Sequence, residues 1–306
     1  MQAVVAQRYG GPEVLALVER PRPEPGPRDV RIAVKAASLN PVDFKIRDGK
    51  TKLVLAVKPP IALGCDVAGV VDAVGAEVTR FRVDDEVFAR LEKNRMGGFA
   101  EHVCADESVV AKKPAAITFA EAAAIPLAGL TSLQALREVA ALTQGQRVII
   151  HAGAGGVGSL AIQIAKILGL HVIATTTLPG EVDAVFDTLG TTELASIAAT
   201  KRGGTVVGVG GLPDAEFARN WLPFFVRPAL WLMTGKRRRA ANRRGVRFAY
   251  LFMRPDGAEL AELGAWIDAK KLRPILHATF PLAQFAEAFA ELDRGRARGK
   301  IVLTLG

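Results

Sequence analysis

A run of glycines between an apolar strand and an amphipathic helix is the feature of this 306-residue chain that most directly implies chemistry. Val148-Ile-Ile150 leads straight into His151-Ala-Gly-Ala-Gly-Gly-Val-Gly158, where Gly153, Gly155 and Gly158 satisfy G-x-G-x-x-G. Leu160, Ala161, Ile164, Ala165 and Leu168 then recur at helical spacing. In that order the glycines supply a tight turn, close approach of backbone to a pyrophosphate, and close helix–strand contact. The N-terminus of the following helix adds free N–H groups and partial positive charge for the phosphates. Gly153, Ala154, Gly155, Gly156, Val157 and Gly158 are therefore expected to cradle a dinucleotide. The next strand ends Ala174-Thr-Thr-Thr177, with no acid to hold the adenine ribose hydroxyls. Hydroxyls there can hydrogen-bond a 2′-phosphate, so Thr175 and Thr176 favour NADPH over NADH, with Glu181 just beyond as the contrary sign.

The elements that position this loop follow from periodicity. From Gln146 onward apolar strands alternate with helices: Arg147–Ile150, Val157–Leu168, His171–Thr175, Val182–Asp187 and Thr205–Val209. That alternation implies a parallel sheet covered on both faces. Residues 1 to about 113 read instead as short strands with turn punctuation: Val30–Val34, Val67–Val74, Val83–Ala89 and Ala100–Cys104. With Pro21, Pro23, Pro25 and Pro27 ahead of them, they suggest a small irregular β-barrel. Thr118-Phe-Ala-Glu121 is a capping box that opens a helix. Near the C-terminus, Ala258–Ala269 and Leu282–Leu292 read as helices and Lys300–Leu305 as a last strand. Charge and composition bound the class: 40 basic against 31 acidic residues give +9, and half the residues are hydrophobic. The excess suits small anions and is too diffuse to indicate nucleic acid. Two cysteines, Cys65 and Cys104, cannot make a disulfide framework or a four-thiolate zinc site. The opening MQAVVAQRYGG has no signal-peptide blocks, and Trp221–Met233 is too short and too interrupted to span a bilayer. A reducing, cytoplasmic setting is expected.

With those residues in place, the chain resembles a zinc-free medium-chain dehydrogenase/reductase of the quinone oxidoreductase and enone reductase group. The resemblance rests on Ser38-Leu-Asn-Pro-Val-Asp-Phe-Lys45, Gly64-Cys-Asp-Val-Ala-Gly69, Asp85-Glu-Val-Phe88 and Gly97-Gly-Phe-Ala-Glu-His102. Ala123-Ala-Ile-Pro-Leu-Ala-Gly-Leu-Thr131, the glycine loop and Arg298-Gly-Lys-Ile-Val302 extend it over nearly the whole length. It implies an α/β chain with a GroES-like β-barrel domain at 1–120, a Rossmann dinucleotide-binding domain at 121–255, and a return to the barrel at 256–306. The family cleft lies between those domains. Zinc-dependent relatives carry Cys near Asn40 and His-Glu after Gly64; this chain has Asn40 and Cys65-Asp66, so no metal is expected. The implied reaction is hydride transfer from NADPH to a small electrophile, a quinone or α,β-unsaturated carbonyl, whose developing enolate oxygen needs a cation. The resemblance assigns that role to Lys45, lets Asn40 orient substrate or cofactor, and has Asp43 hold Lys45, although a surface salt bridge is the plainer reading of that pair. It places Thr131, Gly210, Gly211, Leu212, Gly299 and Lys300 around the cofactor. A homodimer joined through the Rossmann sheet edge is also implied.

The pattern departs from the family after Thr177. Relatives insert a helix, an edge strand and a second helix before the next core strand, roughly thirty residues that are missing here. Only Leu178-Pro-Gly-Glu181 joins Thr177 to Val182. The direct gap between two such parallel strands is ~19 Å, against a reach of ~17–18 Å for the link. A shortened Rossmann half is therefore expected, with adenosine binding less secure than pyrophosphate binding. Asp84 stands where the family has Gly, and it is strained if φ is positive. Lys236-Arg-Arg-Arg239 with Arg243, Arg244 and Arg247 reads as a solvated helical face, with nucleic-acid or anionic-membrane contact as the bolder reading. Two other functions stay open, an acyl-thioester (enoyl) reductase and a catalytically silent nucleotide-binding relative.

Overall fold

The computed structural model describes residues 1–55, 57–174 and 180–306. The chain divides into two compact units, Met1–Leu130 with Arg254–Gly306, and Thr131–Met253. The N-terminal part holds β1 (Gln2–Ala6), β2 (Leu15–Glu19), β3 (Asp29–Ser38), α1 (Pro41–Arg47), β4 (Ile61–Ala62), β5 (Asp66–Val74), β6 (Glu86–Arg90), β7 (His102–Asp106), β8 (Val110–Lys112), α2 (Phe119–Ala123) and α3 (Pro126–Gln134). The middle holds β9 (Arg147–Ile150), α4 (Gly156–Ile167), β10 (His171–Ala174), β11 (Val182–Asp187), α5 (Glu193–Ala199), β12 (Thr200–Gly208), α6 (Ala215–Trp221), α7 (Arg227–Met233), α8 (Gly235–Arg244) and β13 (Arg247–Tyr250). The end holds α9 (Gly257–Asp268), β14 (Leu276–Pro281), α10 (Phe285–Asp293) and β15 (Lys300–Thr304).

The first unit is built on largely antiparallel sheets, ordered β14-β15-β3-β5-β6-β8 with β7 also on β3, and β2-β1-β4. Ten-residue β3 is the spine, because its alternation lets Val30, Ile32 and Val34 bury while it pairs β5, β7 and β15. β15 comes from the far end of the chain: Val302, Leu303 and Thr304 pair Ser38, Ala37 and Ala36. The capping box at α2 forms as expected, with Glu121 N–H on Thr118 Oγ1 at 3.2 Å and Thr118 N–H on Glu121 Oε2 at 3.0 Å. Asp84 does adopt φ 73°. That left-handed residue turns the chain just before β6, so the strand expected from Val83 begins instead at Glu86.

The second unit carries one parallel sheet, ordered β10-β9-β11-β12-β13. Val148, Ile149 and Ile150 of β9 are fully buried, as a strand paired on both sides and covered on both faces requires. Ile149, Val185, Val206, Ile197 and Ala241 form its core. This is the doubly wound order with its third strand missing: β10 lies at one edge, and among the described residues no strand follows it there. The shortened crossover at 175–179 lies outside the described residues. Also among the described residues, no helix is long and apolar enough to cross a membrane.

Candidate active site

In the second unit the glycine loop folds as strand, turn and helix. Gly155 is the N-cap of α4, with extended backbone at φ −77° and ψ 171°. The sharp turn that the sequence assigns to a glycine is carried by Ala152, at φ 48°. Gly158 makes the close contact, since a Cβ there would sit 2.2 Å from the Ala152 carbonyl oxygen. At Gly155 the nearest atom to an added Cβ is that same oxygen, at 3.3 Å. A methyl there would need the Ala152 carbonyl to give by a few tenths of an ångström, and it would lie beside the first turn of α4, where amide hydrogens and the helix dipole favour an anion. These residues fit a dinucleotide pyrophosphate.

The ends of β9, β11 and β12 are locked together beside the loop. His151 is buried, and its Nδ1 lies 3.0 Å from Thr192 Oγ1 and 3.5 Å from Asp187 Oδ1. Asp187 also accepts from the amides of Leu189 and Gly190, each at 3.0 Å, and from Thr192 Oγ1 at 3.0 Å. Burial alone would raise this acid, but these hydrogen bonds hold its pKa down to about 2. The network fixes the 188–190 turn, against which the turn of Gly210 and Gly211 packs backbone to backbone. Leu212, 37% exposed, follows, and its carbonyl accepts from Arg237 Nη1 at 2.6 Å.

The first unit holds a buried polar cluster around the N-terminus of α1. Asn40 donates through Nδ2 to Asp66 Oδ2 at 2.9 Å and to the Ser38 carbonyl at 3.2 Å. Its backbone N–H donates to Asp43 Oδ2 at 2.7 Å. The Lys300 ammonium donates to Asn40 Oδ1 and to the Leu39 carbonyl, and lies 3.9 Å from Asp66 Oδ2. Cys65 Sγ donates to Asp43 Oδ1 at 3.4 Å. Gly299 sets up Lys300: its φ of 104° and the Ile275 carbonyl, 2.3 Å from any added Cβ, exclude a side chain. Burial raises Asp43 to about 7, raises Asp66, and lowers Lys300 against the pull of both acids. Burial also pushes the Cys65 thiol well up, so it keeps its proton. Among the described residues no group of three His, Cys, Asp or Glu is arranged to hold a metal.

Lys45, on α1, is half-buried and, among the described residues, its ammonium has no hydrogen-bond or ion-pair partner. Burial first, and the charge of Lys50 second, lower its pKa. Asp43 does not pair with it; two residues apart on a helix they face different ways, and the Asp43 carboxylate is taken by Asn40 and Cys65. A second cationic pair escaped sequence reasoning. Arg90, at the end of β6, is buried with its Nε unpartnered, and Lys93 beyond it is lowered to about 8 by burial and by Arg90. Only the strand-terminal position in Arg90-Leu-Glu-Lys93 hints at them. Thr131, on α3, is buried. Thr175 and Thr176 lie outside the described residues.

Comparison with known proteins places both units in one family. The Alcohol dehydrogenase GroES-like domain family matches residues 26–115, and the Zinc-binding dehydrogenase family matches residues 169–303. The mitochondrial NAD(P)H oxidoreductase RTN4IP1 of Mus musculus is 31% identical, covering all of this chain and 89% of the mouse protein. That alignment runs over 353 positions, so the 306-residue chain lacks residues its relative has. The chloroplastic NADPH-dependent alkenal/one oxidoreductase of Arabidopsis thaliana is 32% identical over 99% of this chain and 79% of its own. Among solved structures, the quinone oxidoreductase from Coxiella burnetii superposes with a TM-score of 0.83 at 32% identity, over 100% and 99% of the two chains. A mycobacterial protein, Rv1454c, solved with NADPH, gives a TM-score of 0.79 at 28% identity over the full length of both.

Proposed function

The chain belongs to the medium-chain dehydrogenase/reductase superfamily, in its quinone oxidoreductase and enone reductase group, and from that premise we propose that it is an NADPH-dependent reductase of quinones or α,β-unsaturated carbonyls. The observation that carries this is the loop at the head of α4, where Gly158 packs against Ala152 and Gly155 caps the helix with extended backbone. Gly153 to Gly158 would hold the pyrophosphate through backbone amides, and Thr175 and Thr176 would hold the 2′-phosphate. Bound there, the nicotinamide supplies a hydride. A conjugated acceptor takes hydride at its β-carbon or ring and develops negative charge on oxygen, which a preorganised cation stabilises. Lys45 suits that role, since its ammonium is partly desolvated and, among the described residues, no acid pairs with it. Asn40 and Lys300 serve as the scaffold beneath α1, since their polar atoms are turned toward Ser38, Leu39, Asp66 and each other. With Cys65 and Cys104 both free and buried, we place the protein in the reducing cytoplasm, and we take it to dimerise through an edge of the parallel sheet.

Parallel fluorescence titrations with NADPH and NADH test the reading. Micromolar NADPH binding, at least tenfold tighter than NADH, is expected, followed by NADPH oxidation with an enone or quinone. A folded protein that binds neither nucleotide would overturn it in favour of a catalytically silent relative.

A further inference from the structure

Between Phe224 and Met233 the second unit turns large apolar side chains outward. Phe224 is 78% exposed, Phe225 66%, Trp231 59%, Leu232 74% and Met233 65%, side chains that ordinary surfaces show singly rather than together. Directly after them comes α8, whose inward face is built from Gly235, Arg237 and Ala241. Arg237 is structural: it pairs with Glu193 at 2.9 Å, donates to the Leu212 and Pro213 carbonyls, and lies 4.0 Å over the Phe248 ring. The opposite face carries Lys236, Arg239 and Arg243, all exposed and spaced to share one side of the helix. Arg238 joins the two features, with its guanidinium 4.0 Å over the Trp231 ring and its Nη1 on the Trp231 carbonyl at 2.9 Å. No acid occurs anywhere from Phe217 to Pro255. A cavity of about 450 Å³ among α6, α7 and α8 is lined by Asp214, Glu216, Arg219, Arg227, Trp231 and Arg238.

We infer that this surface docks on an anionic phospholipid bilayer. Phe224, Phe225, Trp231, Leu232 and Met233 enter the boundary between headgroups and acyl chains, while Lys236, Arg239 and Arg243 lie among the headgroup phosphates. Charge selects this occupant. A second copy meeting the first through the same patch would bring each cationic face against its own duplicate. A nucleic acid would neutralise the cations and leave Leu232 and Met233 in water. Lipid satisfies both halves at once. The inference stands on surface residues alone and does not depend on the identity of the cofactor or substrate.

Cosedimentation of the full chain with phosphatidylcholine vesicles, with and without phosphatidylglycerol, is the test. Binding is expected only when phosphatidylglycerol is present, and it should weaken in high salt. At about 1 kcal/mol per basic residue near an anionic surface, Lys236→Gln/Arg239→Gln/Arg243→Gln should weaken binding about 100-fold. Phe224→Ser/Phe225→Ser/Leu232→Ser should weaken it at least tenfold while keeping every charge. Both variants should keep the wild-type melting temperature and NADPH affinity. Absence of binding, equal binding to neutral vesicles, or indifference to either variant would overturn the inference. So would self-association that the apolar variant abolishes. Binding of a single-stranded oligonucleotide more tightly than vesicles, unaffected by the apolar variant, would overturn it as well.

Discussion

Two alanine substitutions three residues apart should separate the structural from the binding role of the glycine loop. In Gly158→Ala the new methyl would lie 2.2 Å from the Ala152 carbonyl oxygen and 2.9 Å from Gly153 Cα, both backbone atoms. Contact that close cannot be relieved by a rotamer, so α4 must move by about 1 Å, an overpacking cost of about 1–3 kcal/mol. In Gly155→Ala the methyl is 3.3 Å from its nearest neighbour and φ is −77°, a value any residue adopts. The Ala152 carbonyl must then give by only a few tenths of an ångström, so the loss of stability should stay well below that of Gly158→Ala. Both variants should nonetheless lose NADPH. Losing even one charge-assisted hydrogen bond to phosphate, about 1.5–3 kcal/mol, weakens binding by about 10- to 150-fold. Thermal denaturation and fluorescence titration of the two proteins read these effects separately. Gly155→Ala that melts like wild type and binds NADPH like wild type would refute the placement of the pyrophosphate at the head of α4.

Lys45→Ala should lower kcat by about 10²–10³ with an enone, at wild-type stability and NADPH affinity, because it removes a charge needed only as the oxyanion forms; unchanged kcat at saturating enone removes Lys45 from the mechanism. Asp43, raised to about 7 in the fold against 3.8 unfolded, binds a proton in the native state that the unfolded chain has lost between those values. Its contribution to stability is therefore full below pH 4 and declines as pH rises through 7, by a few kcal/mol. Asp43→Asn should flatten that slope in urea denaturation from pH 4 to 8, and a slope identical to wild type would contradict the assignment. Lys300→Met removes the main cation acting on buried Asp66 and leaves only the weaker pull of Arg90, at a cost of about 3–5 kcal/mol, and Lys300→Met/Asp66→Asn should recover part of the loss in calorimetry.

Local chemistry made much of this legible in advance. The glycine loop, the Thr118–Glu121 box and the buried strand Val148–Ile150 are set by residues within a dozen positions of one another. The missing third strand could be inferred from chain length between Thr177 and Val182, and the sheet order agrees. What escaped were contacts made by distant segments. Lys300 reaches Asn40 only because β15 pairs β3, 260 residues away in sequence, so no spacing rule links the two. The expected pairing of Asp43 with Lys45 rests on proximity in sequence, and helical geometry points the two side chains apart. Arg90 and Lys93 gain their character from burial, which a sequence does not print.

Transfer of deuterium from NADPH labelled at the reactive position of C4 to a simple enone reads the proposed reaction itself. The expected product is a saturated ketone carrying one deuterium on the former β-carbon, with Lys45→Ala giving the same product more slowly. Deuterium on the carbonyl carbon of an allylic alcohol, or a folded enzyme that binds NADPH and transfers none to enone or quinone, would contradict hydride delivery to a conjugated acceptor.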